Sequence, residues 1–461
     1  MRMMKTKILN SNPMGNRTEE FLNDPIFPLL VRMSAPNTIA FFIQAIVVLT
    51  EVWFISELGT TSLAAVALAF PVLMLTQQMA FGALGGAITS SIARSLGAGD
   101  TIRAEELLWH ALLISSCGAL LFLLAFLIGG EALLIILGGK GLLLKESMSY
   151  CMVFLSGAIF IWLSGTMSAA LRGMGNMRFP AMLMIVSSGI QVVLSGGFIL
   201  GWFGLPKLGI TGAALSAIIS GSFMTVLMTL KLSNSSSEVK LKLSRLSLKR
   251  ELFKDIFDVA LPASLAPIFT VGSILVLTGL VGQFGTSALA GYGIGSRVEF
   301  LMIPLVFGIG TAMTALVGTN IGAKNVERAE RIGFLGGISA GLFAGIIGII
   351  LASTPEYWIS LFATDEATFL VTKSYIQIVG ACYAFQGLGL SLYFASQGAS
   401  AMKWPIIATV TRFVVASLGG IMSVYWFPDE VTGIFYAAAA AMTIFGCMLI
   451  TSLKMGAWRK S

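Results

Sequence analysis

Two glutamates lie inside long apolar stretches of the chain, where few neighbours can stabilise a charged carboxyl group. Glu51 follows a Val-Val-Leu-Thr run at 47–50, and Glu299 follows Gly-Ile-Gly-Ser-Arg-Val at 293–298. A carboxylate in hydrocarbon costs roughly 3 kcal/mol, so such a residue usually has a functional role. We therefore expect Glu51 to bind a proton or a cation. The alternative is a structural acid, hydrogen-bonded to Thr50 or to a neighbouring helix.

Glu299 has a stronger competing explanation, because arginines occur in the same apolar parts of the chain. Arg297 is two positions away, and residues two apart on a helix point to roughly opposite sides, so it should not pair with Glu299. Arg412 lies in another apolar stretch and would form a buried structural ion pair with Glu299. The remaining candidates for the site are Gln44 and Thr50, and two aromatic residues suited to flat organic cations, Trp53 and Phe54.

The elements that must position these residues are helices in a bilayer. Of 461 residues, 56% are hydrophobic and only 11% charged, and the mean hydropathy is +0.89. Soluble domains carry about 25% charged residues. Apolar runs long enough to cross hydrocarbon at ~20 residues each recur along the whole length. They predict twelve helices near 30–58, 62–93, 107–130, 149–172, 179–203, 209–232, 255–282, 287–319, 332–352, 369–396, 404–426 and 431–453.

The chain repeats itself. Gly-Thr-Thr-Ser-Leu-Ala at 59–64 recurs as Gly-Thr-Ser-Ala-Leu-Ala at 285–290, and the segment from Gly173 to Pro180 recurs from Gly398 to Pro405. Six helices per copy bring the second copy back in the same orientation, so the sequence predicts an all-α polytopic fold of two six-helix lobes in a parallel repeat. The predicted divisions are a tail at 1–29, a first lobe at 30–232, a linker at 233–250, a second lobe at 251–453 and a tail at 454–461.

The repeat does not account for the two acids. It places Leu277 opposite Glu51 and a leucine, Leu73, opposite Glu299. Each lobe therefore has its own carboxyl group at a different place. We expect the shared site to be a cleft between the lobes near the membrane midplane, opened alternately to each side.

Basic residues indicate the orientation. With the termini and the even-numbered gaps on one side, 23 of the 29 Lys and Arg fall there. The positive-inside rule then places both termini in the cytoplasm and the protein in the cell membrane as a multi-pass protein. The net charge of +7 reflects this topology and contact with anionic lipid, so we expect no nucleic-acid partner.

The sequence lacks the residue patterns of metal sites, catalytic sites and nucleotide-binding sites. The sequence has one histidine, no metal-ligand spacing among its four cysteines and no Gly-rich phosphate loop followed by Lys-Ser or Lys-Thr. We therefore expect neither an enzyme nor an ATP-driven pump, and no cofactor beyond a coupling ion. A ladder of glycines in the ninth helix, Gly333, Gly337, Gly341 and Gly345, predicts close helix packing.

Several motifs together resemble a known family. They are the helix 1 stretch through Leu58-Gly59, Gly-Ile-Gly-Ser-Arg-Val-Glu at 293–299, Val-Gly-Thr-Asn-Ile-Gly-Ala at 317–323, and Leu-Arg-Gly-Met-Gly-Asn at 171–176. From Pro36 to the last helix the chain is similar to the multidrug and toxic compound extrusion (MATE) transporters, most closely to the prokaryotic branches. The resemblance implies a twelve-helix, two-lobe fold and export of organic cations driven by inward H⁺ or Na⁺ movement.

The chain departs from the family pattern at two places. Glu51 stands where the family usually has an aspartate, which keeps the carboxylate on a longer arm. In helix 5 an Asn followed by Leu-Asp is replaced by Gln191, Leu194 and Ser195. The second acid of the first lobe is therefore absent. Gln191 and Ser195 still offer oxygen ligands that suit Na⁺ at Glu51, whereas Glu51 alone could carry one proton.

We therefore interpret the protein as an antiporter that works as a monomer. A cationic amphiphile and the coupling ion exclude each other from the cleft and from Glu51. Two other classes stay open. A flippase for a lipid-linked or peptide-like metabolite would have more helices and a more cationic cavity, and an intramembrane enzyme would need a clustered catalytic set.

Overall fold

The computed structural model describes residues 15–234, 237–360, 362 and 365–460, and this part of the chain is built of helices joined by turns and loops, with no strand. A π-helical segment at Gln78–Leu84 joins two of the helices. The α-helices are α1 Gly15–Asn23, α2 Ile26–Ser56, α3 Thr60–Gln77, α4 Gly85–Gly97, α5 Thr101–Ile136, α6 Gly141–Gly173, α7 Arg178–Leu200, α8 Ile210–Ser233, α9 Arg250–Gly282, α10 Thr286–Ser296, α11 Glu299–Gly322, α12 Val326–Ser353, α13 Pro355–Ile359, α14 Glu366–Gly380, α15 Tyr383–Gly398, α16 Lys403–Trp426 and α17 Thr432–Lys454.

The helices are long enough to cross a bilayer. In the described part of the chain, eleven spans pass tests of length and apolar composition, with α3, the π segment and α4 counted as one. The bent pair α14 and α15 makes a twelfth. Six spans precede the linker (α2 to α8, the first lobe) and six follow it (α9 to α17, the second lobe). The predicted twelve-helix, two-lobe architecture is confirmed.

The two lobes repeat their contacts as well as their sequence. Thr89 Oγ donates a hydrogen bond to the carbonyl of Ala169 at 3.0 Å. At positions 225 residues later, Thr314 Oγ donates to the carbonyl of Phe394 at 2.9 Å. Helix starts match in the same way, because the Asp100 side chain caps α5 and Asn325 caps α12. The parallel repeat is therefore visible at the level of individual hydrogen bonds.

Two predicted helices are broken in the structure. The predicted helix at 287–319 is interrupted at Arg297 and Val298, between α10 and α11. The predicted helix at 369–396 bends by 54° between α14 and α15. The sequence predicted one helix in each place, and hydropathy does not register the local break or the bend. Gly293 and Gly295, just before the first break, lower the helix propensity there.

The linker is held against the first lobe by charge. The carboxylate of Glu105, on α5, lies 3.2 Å from Lys242 Nζ and 3.3 Å from Arg245 Nε. Trp109 Nε1, one turn further along α5, donates to the carbonyl of Lys242 at 2.8 Å. These contacts place the described part of the linker at the end of the bundle where α5 begins, which we call the termini end because the described ends of the chain lie there too.

The glycine ladder on α12 is a packing surface, as predicted. All four glycines are buried, and added Cβ atoms at Gly337, Gly341 and Gly345 would meet α15 at Leu392, Leu388 and Ala384. Small residues let two helices in a membrane approach closely, and dispersion contacts then hold them together. The ladder therefore fixes α12 against α15.

We expect Gly341→Leu to destabilise the second lobe. An added Cβ would lie 3.0 Å from the carbonyl oxygen of Ala384, and overpacking of this kind costs roughly 1–3 kcal/mol. The measurement is the thermal unfolding midpoint of the detergent-solubilised protein. Gly279→Leu is the matched control, since nothing lies within 4 Å of an added Cβ there. Equal midpoints for the two variants would contradict the packing role.

Candidate functional site

Glu51 is held by two residues of a single neighbouring helix. Gln191 Nε2 donates to Glu51 Oε1 at 2.9 Å, and Ser195 Oγ donates to the same oxygen at 2.6 Å. Gln191 and Ser195 are four residues apart on α7, so they lie on one face of that helix. Both side chains are buried. The structure therefore brings together three of the predicted site residues.

A second side-chain hydrogen bond between α7 and α2 lies two helical turns closer to the termini end. Ser188 Oγ donates to Gln44 Oε1 at 3.0 Å. Gln44 and Ser188 are each seven residues before Glu51 and Ser195, so the same faces of α2 and α7 meet at both levels. The predicted residue Gln44 therefore supports the alignment of the two helices and contacts neither Glu51 nor its partners directly.

The second carboxyl oxygen of Glu51 is available. Among the described residues none donates a hydrogen bond to Oε2, and no basic side chain forms an ion pair with Glu51. No group of three or more His, Cys, Asp or Glu side chains in the described chain is arranged to hold a metal ion. A bound cation would therefore have to rely on Glu51, the amide oxygen of Gln191 and the hydroxyl of Ser195, oxygen donors of the type that hard cations prefer.

Two other candidates on this helix do not contact the Glu51 carboxyl group through the bonds that the structure shows. Thr50 Oγ donates to the carbonyl of Ile46 at 2.9 Å, one turn back on α2, so it does not hold Glu51. Phe54 is buried and packs edge-on against Trp202, with ring centroids 5.1 Å apart. It lies in the core of the first lobe and does not line a cleft. Trp53, in contrast, is 57% exposed, as a residue in contact with substrate or lipid must be.

Glu299 is the first residue of α11, at the helix break. The hydroxyl of Tyr375, on α14, donates to Glu299 Oε1 at 2.7 Å. The free backbone N–H groups of a helix amino terminus also favour a negative charge. The break therefore places the Glu299 carboxylate at a helix amino terminus. In a continuous helix the same carboxylate would lie in apolar surroundings without this stabilisation.

Tyrosines surround this second carboxyl group. The ring of Tyr292 packs edge-on against that of Tyr375 at 5.5 Å, and both rings pack on Phe435. The Tyr383 hydroxyl is fully buried and has no hydrogen-bond partner among the described residues. Sequence reasoning missed these tyrosines. The available signal was a tyrosine in an apolar helix, whose buried hydroxyl generally needs a partner.

The predicted ion pair between Glu299 and Arg412 is not formed. No nitrogen of Arg412 lies within the 4.0 Å of an ion pair, although the two groups are close enough to interact electrostatically. Arg412 Nη1 donates instead to Gln386 Oε1 at 3.4 Å, and its guanidinium lies 5.3 Å from the centroid of the Phe445 ring. The Tyr375 hydroxyl therefore takes the place of the arginine at Glu299.

Arg297 lies outside both helices. It is in the turn between α10 and α11 and is exposed. The expectation that Arg297 lies inside a helix is therefore corrected. The two carboxyl groups lie in different lobes, and their hydrogen-bond partners, on α7 and α14, are also in different lobes.

Comparisons with known proteins agree with the repeat. The family model described as MatE matches residues 36–195 and again residues 262–422. A relative described as FAD transporter from Shewanella oneidensis is 28% identical over 387 residues, which cover 81% of this chain and 82% of that protein. A relative described as probable multidrug resistance protein NorM from Thermotoga maritima is 24% identical over 432 residues, 94% of this chain and 93% of that protein.

Solved structures share the fold. A MOP superfamily transporter from Pyrococcus furiosus superimposes with a TM-score of 0.89 at 24% identity, over 96% of this chain and 98% of that one. A multidrug resistance MATE family transporter in an outward-facing conformation gives 0.88 at 25% identity, over 96% and 99%.

We expect Tyr375→Phe to destabilise the second lobe. The change leaves Oε1 of the partly buried Glu299 without its hydrogen bond, and a hydrogen bond to a charged group contributes roughly 1.5–3 kcal/mol. The measurement is a double-mutant cycle on the thermal unfolding midpoint with Tyr375→Phe, Glu299→Leu and the pair. The two changes should be strongly non-additive.

Tyr425→Phe is the matched control, because Tyr425 is 81% exposed and should unfold at the wild-type midpoint. Additive effects of Tyr375→Phe and Glu299→Leu would show that the hydroxyl and the carboxylate do not stabilise each other.

Proposed function

The chain belongs to the MatE family, and we propose that it is a secondary active multidrug exporter. It is a multi-pass membrane transporter and not an enzyme. In our proposal it exports organic cations or amphiphiles in exchange for H⁺ or Na⁺. The two lobes expose the cleft between them alternately to each side of the membrane.

One observation carries the proposal. Glu51 is a carboxyl group in an apolar helix whose described hydrogen-bond donors, Gln191 and Ser195, are both neutral. No described arginine or lysine neutralises it. An acid that an arginine or a lysine neutralises permanently would have no need of an exchangeable ion. Glu51 instead can bind an exchangeable partner, a proton or a cation.

Coupling then follows from differential affinity. A proton or Na⁺ ion that binds Glu51 more tightly in one conformation shifts the population toward that conformation. If the ion and a cationic substrate exclude each other, ion entry from outside releases the substrate, and ion release inside restores the carboxylate. Ser195 and Gln191 hold one oxygen of Glu51 in place for this exchange.

Orientation is part of the proposal. The excess of basic residues at the termini end favours a cytoplasmic location for both termini and for the linker, in the cell membrane. Within this arrangement residues 30–232 and 251–453 form the two lobes, and the linker at 233–250 connects them. We expect a single chain to be the functional unit, since both carboxyl sites are complete within it.

A second candidate substrate class has one observation in its favour. Arg412 is a guanidinium inside the second lobe without an ion-pair partner among the described residues, beside the Phe445 ring. An arginine beside an aromatic ring suits a flat molecule that carries an anionic group. The relative from Shewanella oneidensis is described as an FAD transporter. FAD therefore belongs in the substrate panel as the alternative to organic cations.

The test is transport by the purified protein in liposomes under an imposed pH gradient or an imposed Na⁺ gradient. We expect one gradient to drive efflux of an organic cation such as ethidium. Glu51→Gln should lower the gradient-driven rate by at least about tenfold, because it removes the charge that selects the ion. Glu299→Gln should have a smaller effect if Glu299 is structural.

Glu57→Gln is the matched control, since Glu57 is exposed at the end of the same helix and should transport at the wild-type rate. Full coupled efflux in Glu51→Gln would refute the role of Glu51 and favour Glu299. Gradient-driven transport of FAD but of no cation would favour the second candidate. No gradient-driven transport at all would favour a flippase for a lipid-linked or peptide-like metabolite.

A further inference from the structure

The backbones of the two lobes come into close contact where α4 and α11 cross at the termini end. A Cβ at Gly97 would overlap the backbone carbonyl of Thr319, and a Cβ at Gly322 would overlap that of Arg94. Gly322 and Thr319 are the repeat equivalents of Gly97 and Arg94, 225 residues later. The contact is therefore reciprocal, as it must be at an axis that relates the two lobes.

An ion-pair triad seals the same end. Asp255, near the start of α9 in the second lobe, pairs through one oxygen with Arg94 on α4. Its other oxygen lies 2.9 Å from Arg103 Nη2 on α5. The Asp255 side chain is only 18% exposed and that of Arg94 only 15%. Both arginines belong to the first lobe, so the carboxylate bridges the lobes in a poorly hydrated place where its charge counts.

Backbone carbonyls complete the seal. Ser90 Oγ, on α4, donates to the carbonyls of Gln397 and Gly398 at the end of α15, at 2.5 and 3.1 Å. Gln397 Nε2 returns a hydrogen bond to the carbonyl of Gly82 at 3.2 Å. All of these residues lie in the halves of their membrane spans that are nearest the termini end.

Helix α1 braces the junction from outside. The carbonyl of Phe21, near the end of α1, accepts hydrogen bonds from Asn320 Nδ2 at 3.2 Å and from Arg328 Nε at 3.1 Å. The Phe21 ring is buried and lies where a Cβ at Gly175 would be. Since Gly175 belongs to the first lobe and Asn320 and Arg328 to the second, α1 contacts the ends of both lobes.

We propose that the crossing of α4 and α11, together with the Asp255 triad, is the gate of the transport cycle at the termini end, shown here in its closed state. The proposal rests on the alternating access proposed above. Glu51 lies on the other side of this gate, 25 residues and thus roughly 38 Å of helix from the start of α2. With the gate closed, ions and substrate reach Glu51 from the opposite end of the bundle only. Rocking of the lobes must break the ion pairs of Asp255 and separate the two glycines.

The test measures the distance across the gate. Spin labels at Ile102→Cys and Glu327→Cys, repeat-equivalent positions on α5 and α12, would report it by double electron–electron resonance in liposomes, with the four native cysteines replaced. We expect a main short distance in the otherwise unchanged protein. Gly97→Val and Gly322→Val should shift the population toward a longer distance by roughly tenfold, because the added side chain has no room in the closed state.

Asp255→Asn tests the same gate without added bulk. It removes the charge that holds Arg94 and Arg103, so the population with the longer distance should again increase. Two controls match these changes: Gly129→Val on α5, where nothing lies within 4 Å of an added Cβ, and Asp258→Asn, an exposed acid one turn further along α9 that makes no ion pair within the described chain. Neither control should change the distance.

The outcomes separate the gate from the proposed function. Unchanged distances in folded Asp255→Asn and Gly97→Val protein would overturn the gate. If the variants shift the distance as expected but the wild-type protein moves no compound along a gradient, the result would support the gate and refute the exporter. Coupled efflux that falls in Asp255→Asn together with the distance shift, at an unchanged apparent affinity for substrate from the open side, would support both.

Discussion

Every peptide group in the apolar part of this chain must find its hydrogen-bond partner within the protein, because hydrocarbon offers none. This constraint makes the twelve spans helical and keeps most of them unbroken. It also gives meaning to the places where a helix stops. At the interruption at Arg297–Val298 and at the bend of 54° after α14, peptide N–H and C=O groups at the helix ends need hydrogen-bond partners other than those of a continuous helix. Both occur around Glu299, whose carboxylate uses the helix start and the Tyr375 hydroxyl.

The two carboxyl groups therefore illustrate two solutions to one problem. In the second lobe the backbone itself is rearranged around Glu299, and a cage of tyrosines closes the site. In the first lobe α2 and α7 stay intact, and two neutral side chains of α7 hold one oxygen of Glu51. Each carboxyl group has described side-chain donors on one oxygen only, but Glu299 also lies at a helix start, which favours a negative charge, and Glu51 does not. This difference is the physical basis for assigning the exchangeable ion to Glu51.

The repeat explains where the lobes can touch and also where they differ. Equivalent residues meet at the axis, so a small residue on one lobe is matched by a small residue on the other, as Gly97 and Gly322 are. Asp255 departs from this symmetry, because one acid serves two arginines of the opposite lobe. A symmetric contact fixes the geometry of closure, while an asymmetric charge sets how much closure is favoured over opening.

The sequence by itself determined the number, order and approximate ends of the membrane spans, the parallel repeat and the two intramembrane acids. These features depend on local composition and on the high cost of a charge in hydrocarbon, and both can be counted along the chain. Gln191 and Ser195 were identified beside Glu51 only through a family resemblance. The tertiary structure alone decided that Thr50 turns back to Ile46, that Tyr375 replaces Arg412 at Glu299 and that Arg297 lies in a turn. Each of these depends on the rotation of one helix against another and on local breaks, which periodicity and hydropathy do not encode.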